Sequence, residues 1–215
     1  MPNLHKIENA MPVAPLKIIA LPSAKRMGAR INGYLAEFRK SIHNDKVKTD
    51  PAFQGYSESN YLLDVETPRF GSGEGKATLQ ESVRGKDLFL LVDVCNHSIT
   101  YNMHGFVNHM SPDDHYQDLK RVISACNAKA HRINVIMPFL YEGRQHKRNG
   151  RESLDCALVL RELRDMGIAN FITFDAHDPR VQNAIPLNGF DNFTTPYQFF
   201  KALLTSEEYL IVDID

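Results

Sequence analysis

The run Asp87-Leu88-Phe89-Leu90-Leu91-Val92-Asp93-Val94 constrains the fold more than any other stretch of the chain. It is almost uninterrupted apolar sequence, and a strand that is apolar on both faces belongs in a parallel sheet covered on both sides. A second run, Arg132 to Phe139, reads as another buried strand, and Leu16 to Leu21 and Phe171 to Phe174 read as two more. Between them lie segments of helical period. Met27, Ile31, Tyr34, Leu35 and Phe38 recur at helical spacing between Ser23 and Lys40. Ser111-Pro112-Asp113-Asp114 combines a serine cap, a proline at the first position and acids in the first turn. The helix it starts has a buried stripe of Tyr116, Leu119, Val122, Ile123 and Cys126. Residues Glu152 to Met166 form a helix with Gly167 as its terminator, and Pro196 to Leu204 form another. Tyr61 to Phe70 is expected to be a strand running into a glycine-rich turn, and Tyr209 to Ile214 a last strand. The spans His43–Asn60 and Cys95–Met110 are expected to be polar connections, and the chain after Asp178 a loop. Alternating strands and helices predict an α/β fold with a doubly wound, mostly parallel sheet.

The 215 residues, 43% of them hydrophobic, suffice for one large α/β domain. A net charge of −1 creates no global field toward nucleic acid or a membrane, so any anion must be held by a local cluster. No run of about 18 apolar residues occurs, and the first 20 residues lack the apolar core of a signal peptide. Cys95, Cys126 and Cys156 are odd in number, far apart and flanked by apolar segments. They are expected to be buried free thiols in a reducing compartment, and the protein to be cytoplasmic.

Four segments that carry chemistry fall at or just beyond strand ends, where open α/β sheets bind ligands. The most basic is Tyr141-Glu142-Gly143-Arg144-Gln145-His146-Lys147-Arg148, between a strand and a helix. Arginine is the side chain best shaped to grip phosphate with two parallel hydrogen bonds. A solvated surface loop has the same composition, and the spacing alone does not separate the two. Asp175-Ala176-His177-Asp178 offers hard oxygens and one imidazole, a set suited to magnesium or manganese with waters and phosphates completing the shell. A capping aspartate beside a surface histidine is the plainer account. Asp93 to His97 is the third segment. The fourth, Phe70-Gly71-Ser72-Gly73-Glu74-Gly75-Lys76, is not a Walker loop, because Phe70 stands where the first glycine belongs and Ala77 replaces the serine or threonine. By itself it is a hairpin turn. His97, His104, His109 and His115 fit no standard metal spacing. The basic loop has no interleaved aromatics, which argues against RNA.

Taken together in order, Arg69-Phe70-Gly71-Ser72-Gly73-Glu74, Glu81 to Asp87, Arg144-Gln145-His146-Lys147, Asp175-Ala176-His177 and Phe190-Asp191-Asn192 resemble the N-terminal half of the ribose-phosphate diphosphokinases, also called phosphoribosyl pyrophosphate synthetases. The resemblance runs from about residue 66 to residue 200. It implies a phosphoribosyltransferase-like fold, ATP held by Phe70, Ser72, Gly73, Glu74, Arg144, Gln145 and His146, and Mg2+ ligated by His177. Ser82 and Arg84 would fall in a regulatory phosphate or ADP site. The Phe70 turn would reach the nucleotide of a neighbouring subunit, so a homo-oligomer is implied. The implied reaction moves the diphosphoryl group of Mg-ATP to the C1 hydroxyl of ribose 5-phosphate. His146 stands where the family carries aspartate, and Ser72 where it carries an acid or amide. The family's ribose 5-phosphate loop, two acids before a Thr-Gly-rich turn, has no counterpart in residues 1–215, nor has its catalytic loop. That absence also argues against a phosphoribosyltransferase. Residues 1–205 are therefore expected to be an ATP-binding and assembly domain, with 206–215 opening a second half. The chain alone is expected to be inactive; a non-catalytic regulatory subunit is the alternative.

Overall fold

A computed structural model describes residues 12–41, 51–53 and 55–205. Five strands form the central sheet in the order β1 (Leu16–Ala20), β4 (Asp87–Leu91), β7 (Arg132–Ile136), β8 (Asn170–Phe174) and β9 (Gly189–Phe193), and every neighbouring pair is parallel. The apolar runs at 87–94 and 132–139 supply β4 and β7, two of the three inner strands, as their two-sided hydrophobicity requires. One face of the sheet carries Ile19, Leu90, Val135 and Phe171 in register, packed against α2 (Pro112–Cys126) and α3 (Asp155–Asp165). The other face carries Ile18 and Phe89 against α1 (Lys25–Ser41) and Tyr61. Helices therefore cover both faces.

Local signals explain the well-formed elements. Ser111 and Asp114 close a reciprocal capping box on α2, and its predicted stripe is buried throughout. Gly167 takes φ +92° and returns its N–H to the Arg164 carbonyl, ending α3 as expected. Gly28 lets α1 close on β1, since a Cβ there would lie 2.5 Å from that of Ala20. The stripe of α1 is only partly used: Ile31 and Leu35 pack inward, while Met27, Tyr34 and Phe38 remain exposed.

Four expectations need correction. Tyr61–Phe70 is not one strand: Tyr61 and Leu63 bond to Ile18, then β2 (Val65–Glu66) pairs briefly with β3 (Thr78–Leu79). Pro68, which has no N–H to give a ladder, interrupts the run. The connection at 95–110 contains an antiparallel hairpin, β5 (Thr100–Met103) and β6 (Phe106–His109). His104 and Gly105 make its two-residue turn with φ of 50° and 85°, both positive as a tight hairpin demands. The segment after Asp178 is a 3-10 turn, Pro179–Ala184, followed by β9 rather than a loop. Finally, Cys126 and Cys156 are buried free thiols, but Cys95 is exposed. The expected strand at 209–214 and much of the expected loop after His43 lie outside the described residues.

Burial pushes the Cys126 thiol up to about 11, and burial aided by Glu142 does the same for Cys156. Ellman's reagent at pH 8 should therefore titrate one thiol in the native protein and three in guanidinium chloride. Three rapid thiols in the native state would contradict this packing.

Candidate functional site

Parallel pairing delivers the turns after β7 and β8 to the same edge of the sheet. There, Phe139, Leu140, Gly143, Arg144, Phe174 and His177 line much of a cavity of about 200 Å³. The loop after β7 is held in several ways. Tyr141 stacks on Tyr116 of α2, with ring centroids 4.8 Å apart, and donates its hydroxyl to Asp113. Tyr116 in turn donates to Glu162 at 2.7 Å. A Cβ on Gly143 would lie 2.9 Å from the Leu140 carbonyl oxygen, so the loop closes tightly there. Gln145 donates its side-chain amide to the Ser153 carbonyl at 2.7 Å, tying the loop to the start of α3. The Arg144 side chain is left exposed at the cavity.

The His177 turn is held by β9. Asp175, at φ +45°, accepts from Thr195, and the Ala176 N–H donates to Asn192 Oδ1 at 3.0 Å. Phe190-Asp191-Asn192 thus acts in part by aiming the turn that carries His177. Asp178 caps the 3-10 turn and is gripped by Arg180 through Nε and Nη2. Its other partner is His146, whose Nε2 lies 3.4 Å from Asp178 Oδ2. The His146 and His177 rings are 5.2 Å apart. The hydrogen bonds from Arg180 hold the Asp178 carboxyl far below the ordinary carboxylate range. Sequence reading placed Asp178 next to His177 but had no signal for its pairing with His146, 32 positions earlier in the chain.

The Phe70–Glu74 turn is a separate arm. The Phe70 N–H donates to the Glu74 carbonyl at 2.7 Å, Ser72 Oγ donates to Glu74 Oε2 at 3.0 Å, and Phe70 is 54% exposed. Its root is a buried ion pair: Arg69 donates twice to Asp118 of α2, at 2.7 and 3.0 Å, and Arg121 donates to the same carboxylate at 2.7 Å. Among the described residues no hydrogen bond or ion pair joins this turn to the Arg144 loop. Ser82 and Arg84 lie elsewhere again, just before β4 at the amino edge of the sheet, where the Ser82 hydroxyl accepts from the Arg84 N–H. The four histidines do not gather: His109 of β6 bonds to the His97 carbonyl, and His115, buried in α2, bonds to the Asn96 carbonyl. A larger cavity, about 440 Å³, opens between α1 and the end of β4 beside Ser23, Arg30, Asp93 and Asn96, so the third chemistry-bearing segment, Asp93 to His97, lines this cavity and not the one at Arg144 and His177.

The family model described as the N-terminal domain of ribose phosphate pyrophosphokinase matches residues 16–167. The chain belongs to that family. Ribose-phosphate pyrophosphokinase 1 of Schizosaccharomyces pombe is 31% identical over 154 residues, covering 71% of this chain and 32% of the relative. The enzyme of Bacillus caldolyticus is 29% identical over 138 residues, covering 62% of this chain and 39% of the relative. The crystal structure of phosphoribosylpyrophosphate synthetase from Mycobacterium smegmatis shares the fold at a TM-score of 0.62 and 20% identity, over 87% of this chain and 51% of that one. The chain thus spans about a third to two fifths of the curated relatives it matches. Among the described residues no helix is long and apolar enough to cross a membrane.

Two predictions follow from these contacts. Asp118→Ala leaves Arg69, whose side chain is 5% exposed, buried without its partner, so denaturant melts should show a loss of about 3–5 kcal/mol. A change below 1 kcal/mol would mean that the pair does not hold the turn. Because the Asp178 value is depressed, its stabilising effect is present above the ordinary carboxyl range and lost as pH falls through the folded value. In Arg180→Ala, the carbon-13 carboxyl titration of Asp178 should move back up toward the ordinary range.

Proposed function

We propose that this chain is the ATP-binding portion of a ribose-phosphate diphosphokinase. The observation that carries the reading is the convergence of Arg144 and His177 on one cavity at the carboxyl edge of a parallel sheet. An exposed guanidinium beside apolar walls of Phe139, Leu140 and Phe174 suits the phosphates and base of a nucleotide. Gln145 and His146 shape the loop, the first by bonding to Ser153 and the second by pairing with Asp178. His146 thereby takes a structural partner at the position where the family carries aspartate.

His177 is the residue that would hold Mg2+. No group of three or more His, Cys, Asp or Glu gathers around a cation among the described residues, and Asp175 and Asp178 are engaged by Thr195 and Arg180. One protein ligand with waters and substrate phosphates is the usual habit of magnesium, so the site fits it in that form. Bound there, the ion would neutralise charge on the phosphate oxygens during transfer. The chain's own part is positioning: Arg144 fixes the phosphates, and the cavity walls seat the nucleotide. The Phe70–Glu74 turn, on its own arm, would contact the nucleotide of a second copy, and Ser82 and Arg84 would bind a regulatory phosphate or ADP at the opposite edge.

The complete reaction would give phosphoribosyl diphosphate and AMP from Mg-ATP and ribose 5-phosphate. Residues 1–215 contain no acid-acid-Thr-Gly loop for the ribose phosphate, so the transition-state groups must come from outside this sequence. The second reading is a regulatory subunit that binds nucleotide and partner synthetase subunits without making product. The purified chain should bind Mg-ATP in calorimetry, with Arg144→Ala weakening it roughly ten- to a hundredfold, the worth of charge-assisted hydrogen bonds. It should release no AMP from ATP and ribose 5-phosphate. Turnover would overturn the incomplete-site reading. Absence of ATP binding would overturn the nucleotide assignment.

A further inference from the structure

Three contacts of the β5–β6 hairpin fall on the turn that carries Phe70, Ser72, Gly73 and Glu74 or on Arg69 at its root, while His109 bonds back to the His97 carbonyl. The His104 N–H donates to the Gly71 carbonyl at 2.9 Å. The Tyr101 ring lies against the Arg69 guanidinium, 5.3 Å from centroid to carbon. Gly73, at φ +92°, meets Met103: a Cβ at this position would stand 2.7 Å from the Met103 sulfur and 3.8 Å from the Tyr101 ring. The Met103 thioether therefore fills the place that a side chain at 73 would take. The hairpin owes nothing to the central sheet, since β5 and β6 pair with each other and with no strand of it. Phe106 and Val107, the first residues of β6 after the turn, are exposed.

A hairpin that merely decorated the surface would have no reason to converge on one turn. This turn also has a reason to need support. It contains Gly71 and Gly73 and is followed by Gly75, and glycine-rich backbone has more freedom to lose on ordering than any other. A ligand that had to order it would bind more weakly by that cost. On its inner side the turn is rooted by Arg69 and Asp118; on its outer side the hairpin is what it rests against. Thioethers suit such a contact because they adapt to irregular gaps.

We infer that the β5–β6 hairpin is part of the nucleotide-binding apparatus: it braces the Phe70–Glu74 turn in the conformation that meets the nucleotide, with Met103 as the positioning residue. The inference rests on the proposed role of that turn as a nucleotide contact.

The test compares the full chain with Met103→Ala, Met103→Leu and a variant whose residues 100–109 are replaced by a short Gly-Ser link. Three quantities are read: hydrogen exchange at the Phe70 and Gly73 amides, Mg-ATP affinity by calorimetry, and the melting midpoint. Met103→Ala and the hairpin replacement should speed exchange at both amides and weaken ATP about tenfold. Met103→Leu, which refills the space, should restore both, and the midpoint should hold in all three because the central sheet is untouched. Unchanged exchange in Met103→Ala and in the replacement would overturn the brace. Faster exchange with unchanged ATP affinity would overturn the nucleotide role of the turn while leaving the assignment of Arg144 standing.

Discussion

Parallel pairing is the constraint on which the rest of the structure depends. A parallel strand cannot be joined to its neighbour by a tight turn, so each connection must cross back over a face of the sheet. Every strand then ends at the same edge, and the turns after β7 and β8 emerge side by side with Arg144 and His177. The register behind this edge is set by polar residues at the other end of the strands. Asp87, 5% exposed, accepts two hydrogen bonds from Arg132 and one from Asn134. Asn134 accepts from Asn170, and Asn170 fills the space beside Gly189 that any side chain there would need. A slip of one residue would turn each of these groups to the wrong face and leave Asp87 buried without partners.

Buried charge does a second job, fixing an arm that the sheet does not reach. The Arg69–Asp118 pair spans 49 positions and joins the Phe70 turn to α2. Such a pair costs much of its attraction in desolvation, so its worth lies in geometry more than in net stability. The cost is visible in Arg69 itself, whose Nε is buried without a hydrogen-bond partner. Arg121 and the Tyr101 ring share the burden from two sides. The same α2 helix also carries Tyr116, on which Tyr141 stacks, so one helix anchors both the Phe70 arm and the Arg144 loop.

The parts legible in sequence are those whose signal is local. β4 and β7 declare themselves by two-sided hydrophobicity, and α2 by a cap, a proline and a stripe that needs no knowledge of its neighbours. β9 hides because Gly189-Phe190-Asp191-Asn192-Phe193 is an edge strand with polar alternation, indistinguishable from a loop until β8 is beside it. β5 and β6 hide for the same reason, although Tyr101 and Met103 alternate with polar neighbours around His104-Gly105. In the site, Arg144 and His177 could be named from residue type and place in the chain. The His146–Asp178 contact could not, because nothing local to either residue specifies a partner 32 positions away.

The size of the cavity bears on how far this fold can act alone. About 200 Å³ is less than the roughly 300–1,000 Å³ of ordinary small-molecule sites, and its rim is open toward Phe139 and Phe174, which remain partly exposed. A nucleotide seated there would be gripped on one side by Arg144 and His177 and left bare on the other. Within this chain no hydrogen bond or ion pair joins the Phe70 turn to the Arg144 loop among the described residues, so the turn does not lock that side. On the proposed function, the exposed half of the site is where a second surface must arrive, and an exposed Phe70 on a braced arm is the kind of element that can supply it to a neighbouring copy. Catalysis by positioning alone makes the demand strict, because a misplacement of about 1 Å can cost two orders of magnitude in rate. On the proposed function, that strictness gives a physical reason for a glycine-rich turn to be rooted by a buried ion pair on one side and held by a hairpin on the other.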